Sequence, residues 1–290
     1  IVFNTTASTI GRFAPCVTLS QDMLPFEPGE MERFNYGLGR LRLFLLKILY
    51  IRALRVSSAV IFLTEHASKM IQRKTGPIKN LKVIPHGVSD SFRNICIQRD
   101  FEEASRSEIK CVYVSSTAPY KHQWHVVRAI KILRDSGIPA TLTLVGGGSG
   151  FSQKRLNNEI KLSDPTGSFV TLLSFTNIEN IQSILAESDL FIFASSCENM
   201  PVTLIEGMAS GLPIACSDRG PMPEVLGDGG TYFDPENSES IASALTKLIQ
   251  NNKLREKRVI ASKKISNKYL WKYSSENTFK FLIDTIKNNI

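Results

Sequence analysis

Glu198 and Glu206, with seven residues between them, stand in a stretch (197–213) whose residue types suit the binding of a phosphate ester. It follows the continuous apolar run 190–194, which reads as a buried strand. Ligands of open α/β sheets bind at the C-terminal ends of strands. Pro201 suits the first position of a helix, because its φ is already helical and its missing N–H would have had no intrahelical partner. The N–H groups of Val202 and Thr203 then open outward as an anion site. Carboxylates beside such a site are ill placed for an anion but well placed to accept hydrogen bonds from hydroxyls. A phosphate flanked by two hydroxyl-rich groups describes a nucleotide sugar. Taken alone, the two glutamates fit equally a wet helix face with an acid favoured by the helix dipole. The small residues Gly207, Ala209, Ser210 and Gly211, which let backbone approach closely, tilt the reading toward a site.

The run 112–124 carries a second set of groups. A strand pattern ends in Ser115, Ser116 and Thr117, whose hydroxyls suit phosphate oxygens, and Lys121 follows just before a helical pattern. A cation at a helix N-terminus opposes the dipole, so a bound anion is expected there. The plain alternative is a surface lysine in a loop. A glycine run at 146–148 also follows a strand pattern, but it is followed by no clean amphipathic helix and no acid at dinucleotide spacing. A flexible loop is the expectation. His122 and His125 share a helix face without a third ligand, so no metal is expected. No nucleophile elbow or Cys–His constellation is present.

These groups need a scaffold. Apolar strand patterns at 1–4, 16–20, 59–64, 81–85, 110–115, 140–145, 170–174, 190–194 and 213–217 alternate with helical patterns such as 124–135, 178–187, 201–210 and 238–251. That alternation predicts α/β architecture with parallel sheets. The polar stretch 90–107 is the expected linker. The 290 residues suffice for one large or two ordinary domains, and the net charge of +8 points to an anionic partner. Nucleic acid is set aside, because the basic residues do not interleave with aromatics in any recognised module. Cys16, Cys96, Cys111, Cys197 and Cys216 are scattered and odd in number, as expected of reduced thiols in the cytoplasm. There is no signal peptide and no initiator methionine, and a longer parent protein is expected. Segment 37–58 carries Arg40, Arg42, Lys47, Arg52 and Arg55 with no acid. It is too charged to span a bilayer, and reads either as a peripheral contact with an anionic membrane or as a core helix with a basic wet face.

Together with Lys82-Val83-Ile84-Pro85-His86-Gly87-Val88 and the run 220–235, the two motifs resemble the retaining nucleotide-sugar glycosyltransferases of the GT-B fold, family four. The segment 113–124 and the run 21–26 are similar to the bacterial subgroup that builds O-antigen and capsule. The resemblance implies a GT-B fold, with two Rossmann-like domains facing a cleft and the first incomplete. Expected bounds are 1–108 for the acceptor side with the linker, 109–275 for the donor side, and 276–290 for a C-terminal helix returning to the first domain. It implies that Glu198 binds sugar hydroxyls, Glu206 the ribose and Lys121 the diphosphate. Backbone groups from Asn199 through Met200, Pro201 and Val202 to Thr203 line the donor site, and Gln21 and Asp22 face the acceptor. No metal or other cofactor is implied; the partners are a nucleotide sugar and a glycan or lipid-linked acceptor. Two positions depart from the family: Ser116 stands where an arginine is usual, and Gln21 where a histidine is. The competing readings are a non-catalytic GT-B scaffold or partner subunit, and a GT-B nucleotide-sugar isomerase.

Overall fold

The computed structural model describes residues 1–8, 11, 13–34, 37–95 and 108–288. Cys96 and most of the expected linker lie outside the described residues. By their internal contacts the residues form two units: Ile1–Gly87 with Cys197–Val202 and Tyr269–Ile290, and Val88–Ser196 with Thr203–Lys268. The division at Gly87 falls ahead of the linker expected from sequence.

The first unit holds strands β1 (Val2–Asn4), β2 (Cys16–Leu19), β3 (Ala59–Phe62) and β4 (Leu81–Val83), parallel and in that order. Helix α1 (Leu38–Val56) connects β2 to β3, and α2 (Glu65–Thr75) connects β3 to β4. Strands β2 and β3 are buried along their whole length, as expected of parallel strands covered on both faces. Thr64 caps α2 by accepting from the Ala67 amide at 3.1 Å. Leu54 of α1, Ile61 and Phe62 of β3 and Ile71 of α2 form the core, each worth about 1.5–3 kcal/mol of burial.

The second unit opens with a short helix, α3 (Asp90–Arg93), and then alternates strand and helix. Its elements are β5 (Ile109–Val114), α4 (Gln123–Asp135), β6 (Ala140–Val145), α5 (Gly150–Ser163), β7 (Val170–Leu173), α6 (Ile178–Glu187) and β8 (Leu190–Phe193). There follow α7 (Val202–Ser210), β9 (Ile214–Ser217), α8 (Met222–Leu226), β10 (Gly230–Phe233), α9 (Ser238–Gln250) and α10 (Asn252–Ser266). The sheet is parallel, in the order β10-β9-β8-β5-β6-β7. The chain therefore winds outward from β5 in one direction and from β8 in the other, which makes the β5/β8 pair the topological switch point where such sheets bind ligands. The last helix, α11 (Trp271–Lys287), belongs to the first unit.

Helix α5 follows the glycine run but, as expected, is not cleanly amphipathic: its buried face is Ser152, Leu156, Glu159 and Ser163. Three of those four are polar, so the stripe is invisible to a search for apolar periodicity; Glu159 is satisfied there by Arg128 and by the Ser163 hydroxyl at 2.9 Å. Strand β10 was not expected, because its four residues sit between glycine-rich turns and Asp234-Pro235. Pro201 precedes α7 instead of opening it.

Candidate functional site

In the second unit, the C-terminal end of β5 and the helices after β5 and β8 carry Ser115, Ser116, Thr117, Lys121, Thr203 and Glu206. Ser115 is buried, and its backbone carbonyl and Oγ both accept from the Gln123 side-chain Nε2, at 3.1 and 3.0 Å. Ser116 is exposed. Thr117 is 8% exposed, and its Oγ1 has no hydrogen-bond partner. A buried hydroxyl left without a partner costs about 1–3 kcal/mol, so an atom supplied by a ligand is the natural complement. The glycine run lies alongside these residues. A Cβ on Gly146 would fall 2.5 Å from the Ser115 carbonyl oxygen, and one on Gly148 would fall 2.7 Å from the Thr117 Cβ. The expected loose loop is instead a close-packed turn that only glycine permits, tied by the Thr117 amide donating to the Gly147 carbonyl at 3.2 Å.

Lys121 ends the single turn Pro119–Lys121, directly before α4. Its Nζ lies 5.4 Å from the Tyr120 ring centroid and 5.7 Å from that of Phe193 at the end of β8. The switch point is stitched across its two strands at this lysine. The Ser196 amide donates to the Tyr120 carbonyl at 2.9 Å, and the Ser196 hydroxyl meets His122 Nε2 at 2.8 Å. His122 is the one described non-glycine residue with positive φ, at 49°, a conformation that reverses the chain between the Lys121 turn and α4. Sequence reasoning weighed His122 only as a metal ligand. Its structural part here is legible from no spacing rule, because Ser196 is 74 residues away.

Glu206 lies on α7, a helix that sits close on β8: a Cβ on Gly207 would come within 2.9 Å of the Phe191 ring. Burial pushes the Glu206 carboxyl up to about 7. Relative to the unfolded value of 4.5, the folded carboxyl holds its proton longer, so its contribution to stability is present in full below 4.5 and lost as pH rises through about 7. Glu206→Gln removes that loss. Denaturant titrations should show the variant more stable than the parent by about 1–3 kcal/mol at pH 8, and equal to it at pH 4.

The other residues lie in the first unit. Cys197–Val202 follows β8 in the chain but groups with the first sheet. The Asn199 side-chain amide donates to the Ser20 carbonyl beyond β2 at 3.0 Å, and Thr64 Oγ1 beyond β3 donates to the Asn199 backbone carbonyl at 3.1 Å. Gln21, Leu63, His86, Glu198, Asn199 and Met200 line a pocket of about 220 Å³. Asp22 is fixed by the Tyr50 hydroxyl of α1, which donates to its Oδ2 at 2.7 Å. The expected amide array is reduced: the Val202 N–H is not free but donates to the Met200 carbonyl at 2.9 Å, and Pro201 has none. Thr203, at the next position of α7, follows in the second unit.

The parallel α/β sheets and the chemistry at their strand ends define a GT-B fold, and solved structures share it. Sucrose-phosphate synthase from Thermosynechococcus elongatus superposes with a TM-score of 0.77 at 15% identity, over 94% of this chain and 68% of that one. Anabaena HepE in complex with UDP and glucose superposes with a TM-score of 0.74 at 20% identity, over 92% and 71%. Residues 97–265 match the family described as glycosyl transferases group 1, and the chain belongs to that family. It is similar to the O-antigen chain mannosyltransferase B of Escherichia coli, 23% identical over 50% of this chain and 38% of that protein. It is also similar to the amylovoran biosynthesis glycosyltransferase AmsK of Erwinia amylovora, 25% identical over 60% and 43%. The chain thus matches under half the length of these two curated relatives.

Proposed function

We propose that this protein is a retaining, metal-independent glycosyltransferase. It moves a hexose from a nucleoside-diphosphate sugar to a glycan or lipid-linked saccharide during synthesis of a bacterial surface polysaccharide. The observation that carries the reading is the switch point of the second sheet, where Lys121 and the partnerless Thr117 hydroxyl stand at the strand end that ligands of this architecture use. The names of the relatives, an O-antigen mannosyltransferase and an exopolysaccharide glycosyltransferase, support the choice of product class. HepE, bound to UDP and glucose, supports the choice of donor.

Transfer breaks an anomeric C–O bond through a cationic, oxocarbenium-like state, and negative charge grows on the departing diphosphate. Lys121 with the hydroxyls of Ser116 and Thr117 stabilises that charge. Glu206 accepts from the ribose hydroxyls, and Glu198 with Asn199 accepts from hydroxyls of the sugar. No enzymatic nucleophile is invoked. The acceptor attacks on the face the diphosphate leaves, and a leaving-phosphate oxygen takes the acceptor's proton. Glu206→Ala should weaken binding of the free nucleoside diphosphate about tenfold by calorimetry, the loss of one or two hydrogen bonds to a carboxyl acceptor. Unchanged affinity would remove Glu206 from the site.

The same reading gives α1 a role at the membrane where lipid-linked acceptors reside. Leu38, Leu41, Phe44, Leu45 and Ile48 are each 50% exposed or more, on a helix with five basic residues and no acid. Among the described residues no helix is long and apolar enough to cross a membrane. A helix of this composition lies on an anionic surface instead. The protein should sediment with vesicles containing phosphatidylglycerol and not with phosphatidylcholine alone, and the triple change Leu41→Ser, Phe44→Ser, Ile48→Ser should abolish it. Equal sedimentation with both lipids would argue against this role.

A further inference from the structure

The pocket of the first unit contains a residue that the mechanism above does not use. His86 follows β4 and lines the pocket beside Gln21, Glu198 and Asn199. Its position is fixed from two sides. The Ile84 amide donates to the Phe62 carbonyl at 2.8 Å, continuing the pairing of β4 with β3. Behind it, Gly87 lies so close to the start of α11 that an added Cβ would fall 2.1 Å from the Trp271 nitrogen, and the Trp271 ring packs 5.3 Å from the imidazole. Among the described residues nothing hydrogen-bonds the imidazole. Asn199 Oδ1, in the same pocket and on a residue 7% exposed, also lacks a partner. The pocket therefore presents two polar groups that the fold immobilises and does not satisfy.

We propose that His86 is a sugar-contacting residue: its imidazole hydrogen-bonds a hydroxyl of the transferred hexose held by Glu198 and Asn199, with Trp271 of α11 setting the plane of the ring. The proposal rests on the nucleotide-sugar reading and deepens it. At about 220 Å³ the pocket is smaller than the sites of about 300–1,000 Å³ that take drug-sized ligands, a size for one sugar ring and not for a nucleotide. Burial lowers the pKa of His86, so the imidazole is neutral near pH 7. It then offers one donor and one acceptor, as a hydroxyl requires. Among the described residues, Glu198 is the only other titratable residue lining the pocket.

The test compares calorimetric affinities for UDP and GDP with those for UDP-glucose and GDP-mannose, in the full chain. His86→Ala should bind the preferred diphosphate within about twofold of the parent and lose about five- to tenfold for its sugar ester, the loss of one hydrogen bond. His86→Asn, which keeps a donor and an acceptor, should recover part of that loss, whereas His86→Phe should not. Trp271→Ala should show a smaller selective loss, and Trp271→Phe should restore it. Equal losses for diphosphate and ester, or no loss for either, would overturn the assignment of His86. A parent protein that binds neither diphosphate nor ester would instead overturn the nucleotide-sugar reading, and this assignment with it.

Discussion

Lys121→Ala should lower the rate of sugar transfer about 100- to 1,000-fold while leaving the melting temperature close to that of the parent, the scale expected when one preorganised charge-stabilising group is lost. The two halves of this result separate because the side chain and backbone of Lys121 do different things. Its backbone carbonyl accepts from the Tyr113 hydroxyl at 2.9 Å, and its amide donates to the Ala118 carbonyl at 3.1 Å. Both bonds survive truncation to Ala. The ammonium lies over the Tyr120 and Phe193 rings, a placement worth about 0.5–1 kcal/mol at a partly open site. In the proposed mechanism it faces the departing diphosphate, where the same charge is worth several times more. Initial rates and thermal melts on one preparation check the prediction, and near-normal turnover would remove Lys121 from the chemistry.

Gly87→Ala should destabilise the protein by about 1–3 kcal/mol, a large effect for the addition of one methyl group. The new Cβ would fall 2.1 Å from the Trp271 nitrogen, 2.5 Å from the Leu270 carbonyl carbon and 2.6 Å from the Trp271 Cα. All three are backbone atoms at the start of α11, so no side chain can rotate away and the helix itself must shift. Denaturant unfolding measures the cost. Limited proteolysis should cleave within Trp271–Lys287 sooner in the variant than in the parent. A melt and digestion pattern matching the parent would show that α11 is not seated on Gly87.

The strands and helices that do most of the positioning were legible in the sequence wherever burial is carried by apolar residues. Strand β8 reads Leu-Phe-Ile-Phe and is buried throughout, and α4 buries an apolar stripe from Trp124 to Leu133. Legibility failed where polar residues do the packing. Helix α5 hides its inward face behind Ser152, Glu159 and Ser163, because Arg128 and Ser163 satisfy the buried carboxylate. Lys121, Thr117 and Glu206 could be singled out as candidates because each stands at a strand end or on the helix after one, a rule of local sequence. The 220 Å³ pocket was not found as a unit, since its lining comes from residues 21, 63, 86 and 198–200, brought together only by the fold. His86, quoted in the 82–88 motif, was given no role there for that reason. The left-handed backbone of His122 escaped because nothing local distinguishes it from an ordinary helix-start residue.

The decisive measurement is calorimetric titration of the protein with UDP, GDP and ADP in turn, repeated on Lys121→Ala and Glu206→Ala. One of the three diphosphates should bind at a single site, and each substitution should weaken that binding about tenfold or more. If none of the three binds the unaltered protein, or if the preferred one binds both variants as tightly as the parent, then Lys121 and Glu206 do not hold a nucleoside diphosphate, and the proposed donor chemistry is wrong.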